Sequence, residues 1–312
     1  MTPSTNAPTT YDQVTFTSAG TDCDAWHVAA RRDAFTGPAG RPVVVMAHGL
    51  GGTKDSGLAP FAEALADAGL DVFAFDYRGF GASGGSPRQR VSMADQMTDY
   101  RAAMATAAQL PGVDPQRLVL WGVSLAGGHV LEVAADRGDV AAVVSLTPLV
   151  DGPAAGRHAL ASHSPAELAR STAVGIRSRV AGKLGRPGTT MPVVGRPGEL
   201  AALTLDGCYE DYLALAGPTW VNELDAAVGL ELGNHRPGRH ADRIIAPVLV
   251  QIADFDRSAP PQASAKAAVK ARAEVRHYPC DHFDVWPGKP CFEAVVDHQV
   301  AFLTRRLQSA GA

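Results

Sequence analysis

The sequence predicts a protein of the α/β class, with a mostly parallel, doubly wound sheet and helices on both faces. Three observations lead to this fold class. Apolar runs alternate with Ala- and Leu-rich stretches along the chain, and several of these runs are continuously apolar, as in strands covered on both faces. Hydrophobic residues make up 46% of the 312 residues and charged residues 19%, which is typical of a globular protein.

The elements follow in order. Residues 11–30 alternate in places, with Val14 and Phe16 between polar neighbours, and predict an antiparallel start. The apolar runs predict strands over residues 42–47, 70–75, 117–121, 140–146, 247–252 and 274–278. The stretches between them predict helices over residues 58–68, 92–110, 125–136, 261–272 and 291–307.

One segment interrupts this alternation. Residues 151–239 are rich in Gly and Pro, and the tetrapeptide Gly-Arg-Pro-Gly occurs at 185–188 and again at 195–198, which we interpret as turns. The segment contains helical pieces and no run typical of a buried strand. So long an excursion predicts a helical cap or lid. We therefore expect a core of residues 1–150 and 240–312, with a cap of residues 151–239 inserted into it.

Composition excludes several classes of protein. The formal charge is -4 and the basic residues are scattered, so the nucleic-acid-binding class is not indicated. No run approaches the ~20 apolar residues of a membrane span, and the N-terminus lacks the pattern of a secretory signal. The four cysteines have no metal-binding spacing and are expected to be reduced. These features predict a cytoplasmic protein without membrane contact; the sequence leaves open whether it forms a homo-oligomer.

Ser124 is the candidate nucleophile. It follows the strand predicted over 117–121 and precedes a helix, with Gly122 two residues before it and Ala126 two residues after it. A sharp strand-to-helix bend exposes a serine hydroxyl, and close packing there usually requires glycine at both offsets. Ala126 departs from that pattern by one methyl group, and Gly127 and Gly128 follow it. The alternative is that Ser124 only caps the helix.

An attack by Ser124 on a carbonyl would need two N–H donors for the resulting oxyanion. One donor is expected to be the backbone N–H of Leu125, at the start of the helix. The other is expected from the loop after the first parallel strand, His-Gly-Leu-Gly-Gly-Thr at 48–53, where Leu50 is best placed. We expect His48 to be a structural residue of this loop rather than a catalyst.

A histidine base and an orienting acid should follow the serine in the chain. His282 comes after the strand predicted over 274–278, whereas His277 falls inside that strand and His298 within a helix. Two acids, Asp254 and Asp256, follow the strand predicted over 247–252. All these loops leave the carboxyl edge of the sheet, where open α/β sheets bind ligands.

The sequence reasoning favours Asp256 over Asp254 as the acid, because Asp256 lies further into its loop. Asp254 could instead hold that loop together, and Asp151 is a minor alternative. Asp281 and Asp284 are too close to His282 in the chain to orient its ring easily. Arg78, in a second glycine-rich loop, is interpreted as an ion-pair partner of a nearby acid rather than a substrate clamp.

Taken together, these motifs resemble the α/β-hydrolase superfamily from Val14 to Leu307. The matching text is HGLGGT from His48, DYRGFGASGG from Asp76, GVSLAGG from Gly122, ADFDRSAP from Ala253 and HFDV from His282. Within the superfamily the chain is similar to dipeptidyl-peptidase-like and dienelactone-hydrolase-like bacterial hydrolases, and to polyketide acyltransferases and thioesterases. The resemblance implies the α/β-hydrolase fold, a serine triad, an acyl-enzyme intermediate and a helical cap.

The resulting hypothesis is a serine hydrolase that acts on an ester or thioester of a small-molecule acyl substrate, with Ser124, His282 and Asp256 as the triad. No cofactor or metal is implied. An acyltransferase with the same triad and a non-catalytic binding homologue are the two alternatives. Four aromatic residues, Tyr209, Tyr212, Trp220 and Trp286, suggest an apolar or aromatic acyl pocket, or else packing between cap and core.

Overall fold

The computed structural model describes residues 11–160 and 163–308. The strands are β1 Asp12–Ser18, β2 Thr21–Val28, β3 Arg41–Ala47, β4 Asp71–Phe75, β5 Val113–Val123, β6 Val140–Leu146, β7 Thr190–Met191, β8 Leu224–Asp225, β9 Val248–Ala253 and β10 Glu274–Tyr278. The helices are α1 Ala59–Ala68, α2 Met93–Ala107, α3 Leu125–Val133, α4 Gly152–Ala159, α5 Pro165–Lys183, α6 Cys208–Leu215, α7 Val228–Leu232, α8 Pro261–Lys270 and α9 Phe292–Gln308, with a 3-10 helix at Pro237–Arg243.

Eight of the strands form one sheet in the order β1-β2-β4-β3-β5-β6-β9-β10. β2 pairs antiparallel with β1 and with β4, and the remaining neighbours are all parallel. β3, β4, β6 and β9 are buried along almost their whole length, which explains their continuously apolar sequences. The predicted α/β class and the antiparallel start are confirmed.

The helices lie in two groups of mutually contacting elements. α1 contacts α9, whereas α2, α3, the 3-10 helix and α8 form a second contacting series. A buried Trp121 joins β5 to α9 through a 2.9 Å hydrogen bond from its Nε1 to Gln299. Two groups of helices are expected when both faces of a parallel sheet are covered.

The chain leaves the sheet after β6 and returns to it at β9. This intervening segment, residues 147–247, contains α4 to α7 and the 3-10 helix, in agreement with the predicted helical pieces. The expectation that it has no buried strand is wrong in one detail, because β7 pairs with β8 and buries Met191 and Leu224. Two residues are too few to produce a detectable period-2 pattern.

No helix within residues 11–160 and 163–308 combines the length and apolar character that a membrane span would need. The four cysteines are free thiols, and Cys23, Cys208 and Cys280 are buried.

Candidate active site

Ser124 occupies a strained bend between β5 and α3. Its backbone has φ 57° and ψ -117°, a conformation that costs a non-glycine residue about 1–3 kcal/mol. The bend brings the backbone of the first helical turn against the end of the strand. A Cβ atom at Gly122 would lie 2.2 Å from the carbonyl oxygen of Ala126, so only glycine fits at 122. Ala126 is fully buried, and its methyl group is accommodated within this bend.

His282 lies beside this serine. Its Nε2 is 3.1 Å from the Ser124 Oγ, and its Nδ1 is 2.6 Å from the Asp256 Oδ2. A carboxylate can only accept, so Nδ1 carries the proton that it donates to Asp256, and Nε2 is left to accept from the hydroxyl. The sequence-predicted Ser124, His282 and Asp256 are therefore joined in one hydrogen-bonded chain.

Asp256 is itself held in place by the backbone. Its Oδ1 accepts hydrogen bonds from the N–H groups of Ser258 at 2.8 Å and Ala259 at 2.6 Å. The carboxyl group is buried, with a relative exposure of 4% for the residue. These two bonds orient the carboxyl group so that its second oxygen faces the His282 ring.

Two opposing effects act on the pKa of His282. Burial lowers it, whereas the charge of Asp256 and its hydrogen bond to the ring raise it. The raising effects win, and the pKa of His282 lies above its ordinary value near 6.5. The imidazole is thus a stronger base than a free histidine.

The alternatives for the acid are placed elsewhere. Asp254 pairs at the surface with His277, 2.7 Å from its Nδ1, and Asp151 caps α4 by accepting the Ala154 N–H. Asp281 binds the guanidinium of Arg257. Among the carboxylates of the described residues, Asp256 is the one that contacts the His282 ring.

His298 of α9 and Arg78, which were also considered from the sequence, have partners outside the candidate triad. The His298 Nδ1 is 2.9 Å from the Tyr278 hydroxyl. Arg78 pairs with Asp99, 2.5 Å from Nη2 to Oδ1, which confirms its interpretation as an ion-pair residue.

The loop 48–53 lies against the serine bend. A Cβ atom at Gly49 would be 2.8 Å from the Ser124 Cβ, so glycine allows the close approach. The Leu50 carbonyl accepts a 2.7 Å hydrogen bond from the Tyr212 hydroxyl of α6, and the Gly51 carbonyl accepts one of 3.0 Å from the Trp220 Nε1. Leu125 is the first residue of α3, where a helix offers its N–H no internal acceptor.

His48 is a buried structural residue of that loop. Its Nε2 bonds the Ser56 carbonyl at 2.8 Å, and its ring stacks on Trp286 with centroids 5.0 Å apart. Burial lowers the pKa of His48 to about 4, so the ring is neutral. Gly52 allows the backbone to pass over this ring, since a Cβ there would lie 1.9 Å from Nδ1.

A buried lysine, which the sequence reasoning missed, holds the end of the same loop. The Lys54 Nζ lies 2.7 Å from Asp76 and 2.5 Å from Asp24, and its backbone N–H also bonds Asp76. Asp76 begins the second glycine-rich loop, so the ion pair ties the two loops together. A lysine in a glycine-rich loop carries no sequence signal of burial.

A cavity of about 350 Å³ opens beside Ser124 and His282. Its walls are mostly aliphatic, and they come from the core (Leu50, Leu125) and from the intervening segment (Leu149, Leu168, Leu203, Leu230). None of the four aromatic residues considered from the sequence, all of them within the described chain, lines it. The aromatic pocket is therefore wrong. The rings of Tyr212, Trp220 and Trp286 pack at the loop 48–53, and the Tyr209 ring lies under the guanidinium group of Arg196.

Within the described ranges, no group of three or more His, Cys, Asp or Glu side chains is arranged to hold a metal ion.

Comparison with known proteins agrees with the fold. A family described as alpha/beta hydrolase fold matches residues 42–289. The "Quorum-quenching protein AidA" of Acinetobacter baumannii is 35% identical over 303 residues, which are 96% of each chain. The "Thiohydrolase aneE" of Aspergillus aculeatus is 32% identical over 53% of this chain and 51% of its own, and the "Polyketide transferase grgF" of a Penicillium species is 31% identical over 35% and 37%.

A solved structure of similar fold is the alpha/beta hydrolase GrgF from Penicillium. It has a TM-score of 0.77, 21% identity, and coverage of 96% of this chain and 99% of its own. The match over residues 42–289, together with AidA over nearly the full length, shows that the chain belongs to the α/β-hydrolase fold family.

Proposed function

We propose that the protein is a serine hydrolase that cleaves a carboxylic ester or thioester through an acyl-enzyme. The observation that supports this most directly is the hydrogen-bonded chain from Ser124 through His282 to Asp256, at 3.1 and 2.6 Å. Hydrolase-named relatives favour the same chemistry, among them the thiohydrolase aneE. The chain opens on an apolar cavity large enough for an acyl group.

In the proposed reaction, the Ser124 Oγ attacks the acyl carbonyl carbon while the His282 Nε2 takes the hydroxyl proton. The oxyanion is stabilised by the N–H groups of Leu50 and Leu125. The bond from carbon to the alcohol oxygen or thiol sulfur then breaks, and His282 returns the proton to the leaving group. Water, deprotonated by His282, next attacks the acyl-enzyme, and the acid is released with Ser124 regenerated.

The geometry of the loop 48–53 favours the Leu50 N–H as an oxyanion donor. Within the described chain, the Leu50 N–H donates no hydrogen bond to a protein acceptor, while the Leu50 carbonyl accepts one from the Tyr212 hydroxyl. Leu50 and Leu125 both line the cavity that contains Ser124. Two preorganised N–H groups at this position would each stabilise the transition state by about 3 kcal/mol.

We further propose that residues 151–239 act as a cap over the core formed by 1–150 and 240–312. Leu168, Leu203 and Leu230 of this segment line the same cavity as Ser124. An aliphatic acyl chain is the substrate portion that such walls would bind. Burying each CH₂ group contributes about 0.8 kcal/mol.

The aliphatic cavity predicts a dependence on acyl length. Along a series of 4-nitrophenyl esters with straight chains, kcat/KM should rise about fourfold for each added CH₂, until the cavity is filled. Leu203→Ala should flatten this rise without lowering the rate on the acetyl ester. Steady-state kinetics with both proteins test this. A rate that is indifferent to chain length would contradict the assignment of the cavity to the acyl group.

The raised pKa of His282 predicts the acid limb of the pH profile. Protonated His282 cannot accept the Ser124 proton, so kcat/KM should fall as pH decreases through a value above 6.5. Asp256→Asn removes the charge that raises this pKa, so the limb of its residual activity should move to lower pH. Both profiles are measured with one ester in constant ionic strength. A rate independent of pH down to 5 would exclude His282 as the base.

The function as a whole is tested by a fluorophosphonate probe and a substrate panel. Intact-mass spectrometry should show one adduct on the protein and none on Ser124→Ala, and peptide mapping should place it on Ser124. The panel contains an ester, a thioester, an amide and a lactone. Absence of both labelling and turnover would indicate the alternative of a non-catalytic binding protein.

Acyl transfer is a second candidate, which the similarity to polyketide transferase grgF favours. Both reactions share the acyl-enzyme and differ in the group that attacks it, so an alcohol or amine would replace water. Incubation with an acyl thioester and graded concentrations of an acceptor, followed by mass analysis of the products, separates them. A share of acyl product on the acceptor that is much larger than the ratio of acceptor to water concentrations would favour transfer.

A further inference from the structure

A groove of about 700 Å³ lies between α4, the 3-10 helix and α8, on the outside of the molecule. Five exposed cationic side chains line it: Arg157, Arg236, Arg239, Lys266 and Lys270. They come from all three elements, so the cluster exists only in the folded chain. This local excess of positive charge occurs in a protein whose formal charge is -4.

The charges in the groove are not neutralised by the protein. Over residues 11–160 and 163–308, none of the five cations forms an ion pair or a side-chain hydrogen bond. The acid in the lining is Asp151, and its Oδ1 accepts the Ala154 N–H at the start of α4. A concave surface lined by one sign of charge concentrates ligands of the opposite sign.

The groove and the cavity at Ser124 lie on the two sides of α4. Ala155 and Ala159 of this helix line the cavity, whereas Ala154 and Arg157 line the groove. Two pairs of adjacent residues outside α4 are also divided between the cavity and the groove. Leu149 lines the cavity and Val150 the groove, and Ala259 lines the cavity and Pro260 the groove.

We propose that this groove binds the phosphate groups of a coenzyme A thioester whose acyl group occupies the cavity at Ser124; this inference rests on the proposed function. Guanidinium groups bind phosphate oxygens in pairs, and lysines add point charges. The flexible pantetheine arm between thioester and phosphates would pass around α4. After attack by Ser124 the carbon–sulfur bond breaks, His282 protonates the sulfur, and the free thiol departs with its phosphates.

A small molecule suits this site better than an acidic protein. Its volume lies within the ~300–1,000 Å³ of small-molecule clefts, and the cations surround a concavity. A protein interface usually buries about 800 Å² on each partner and is much flatter than a nucleotide site. Recognition of an acidic carrier protein that delivers the acyl group is the alternative outcome of the test.

The kinetic test compares two thioesters of the same acyl group, one on coenzyme A and one on N-acetylcysteamine, which has no phosphate. In Arg239→Gln/Lys266→Gln, kcat/KM for the coenzyme A thioester should fall about tenfold or more at low ionic strength. The N-acetylcysteamine thioester should change by less than about twofold. The matched control is Arg32→Gln/Arg101→Gln, which removes two exposed cations outside the groove and should affect neither substrate.

A binding experiment tests the groove independently of catalysis. Calorimetric titration of Ser124→Ala with coenzyme A should show binding that the groove variant weakens about tenfold, whereas pantetheine, which lacks phosphate, should bind equally to both. The proposed function itself fails only if fluorophosphonate labelling and thioester turnover are absent.

Three results would overturn the groove assignment. The first is an equal loss on both thioesters in the kinetic test. The second is pyrophosphate binding as tight as coenzyme A binding, which indicates a general anion site. The third is faster turnover of the same acyl group on an acidic carrier protein, with the effect of the groove variant confined to that substrate.

Discussion

Replacing Ser124 with alanine should lower kcat by about 10⁵- to 10⁶-fold on every ester or thioester that the protein turns over. In the proposed mechanism the Ser124 oxygen forms the acyl bond, and within the described chain Ser124 is the serine whose hydroxyl lies within hydrogen-bonding distance of the His282 ring. KM should change little, because the aliphatic walls remain. Steady-state kinetics of the native protein and of Ser124→Ala measure the difference, with only the variant preparation pretreated with the fluorophosphonate probe to inactivate contaminating esterases.

The matched control is the double replacement of Ser124 and His282 by alanine. Groups that act as one unit are strongly non-additive, so the double variant should be about as slow as Ser124→Ala alone. Thermal unfolding should show that both variants remain folded. Substantial turnover by Ser124→Ala, or additive losses, would contradict the proposed chain of proton transfer.

Asp256→Asn should lower kcat by about 10⁴-fold. The carboxyl Oδ1 is held by the N–H groups of Ser258 and Ala259, so the new side chain would keep its oxygen there and turn its amide N–H₂ toward His282. The Nδ1 would then have to accept, and the proton would move to Nε2. An Nε2 that carries a proton cannot take one from Ser124.

Asp254→Asn provides the comparison, because it makes the same change two residues away. Asp254 pairs at the surface with His277, so the rate should stay within about twofold of the native value. A loss at Asp254 comparable to that at Asp256 would contradict the assignment of the acid. Ratios of kcat for the two variants on one substrate decide the question.

The parallel sheet could be predicted because its strands are buried on both faces and therefore read as continuous apolar runs. β5 shows the limit of that signal, since the strand begins at Val113 whereas the predicted strand begins at residue 117. Its first residues include Asp114 and Gln116, and the pairing with β3 shifts register there. Polar residues at an irregular strand end give no period that a sequence could reveal.

The candidate triad could be located because each of its members follows a strand at the same edge of the sheet. The choice of Asp256 over Asp254 relied on position within the loop, and the contact with His282 agrees with it. The lining of the cavity could not be inferred in this way. Its residues are spread over α4, α5, α7 and the loop around Leu203, whose spatial neighbours depend on tertiary packing alone.

Hydrogen bonds from Tyr212 and Trp220 tie the inserted segment to the loop 48–53. Both side chains bond carbonyl oxygens of the loop that carries Leu50, so lifting α6 away would pull that loop with it. An opening of the inserted segment that leaves the proposed oxyanion donors in place would therefore have to leave α6 where it is.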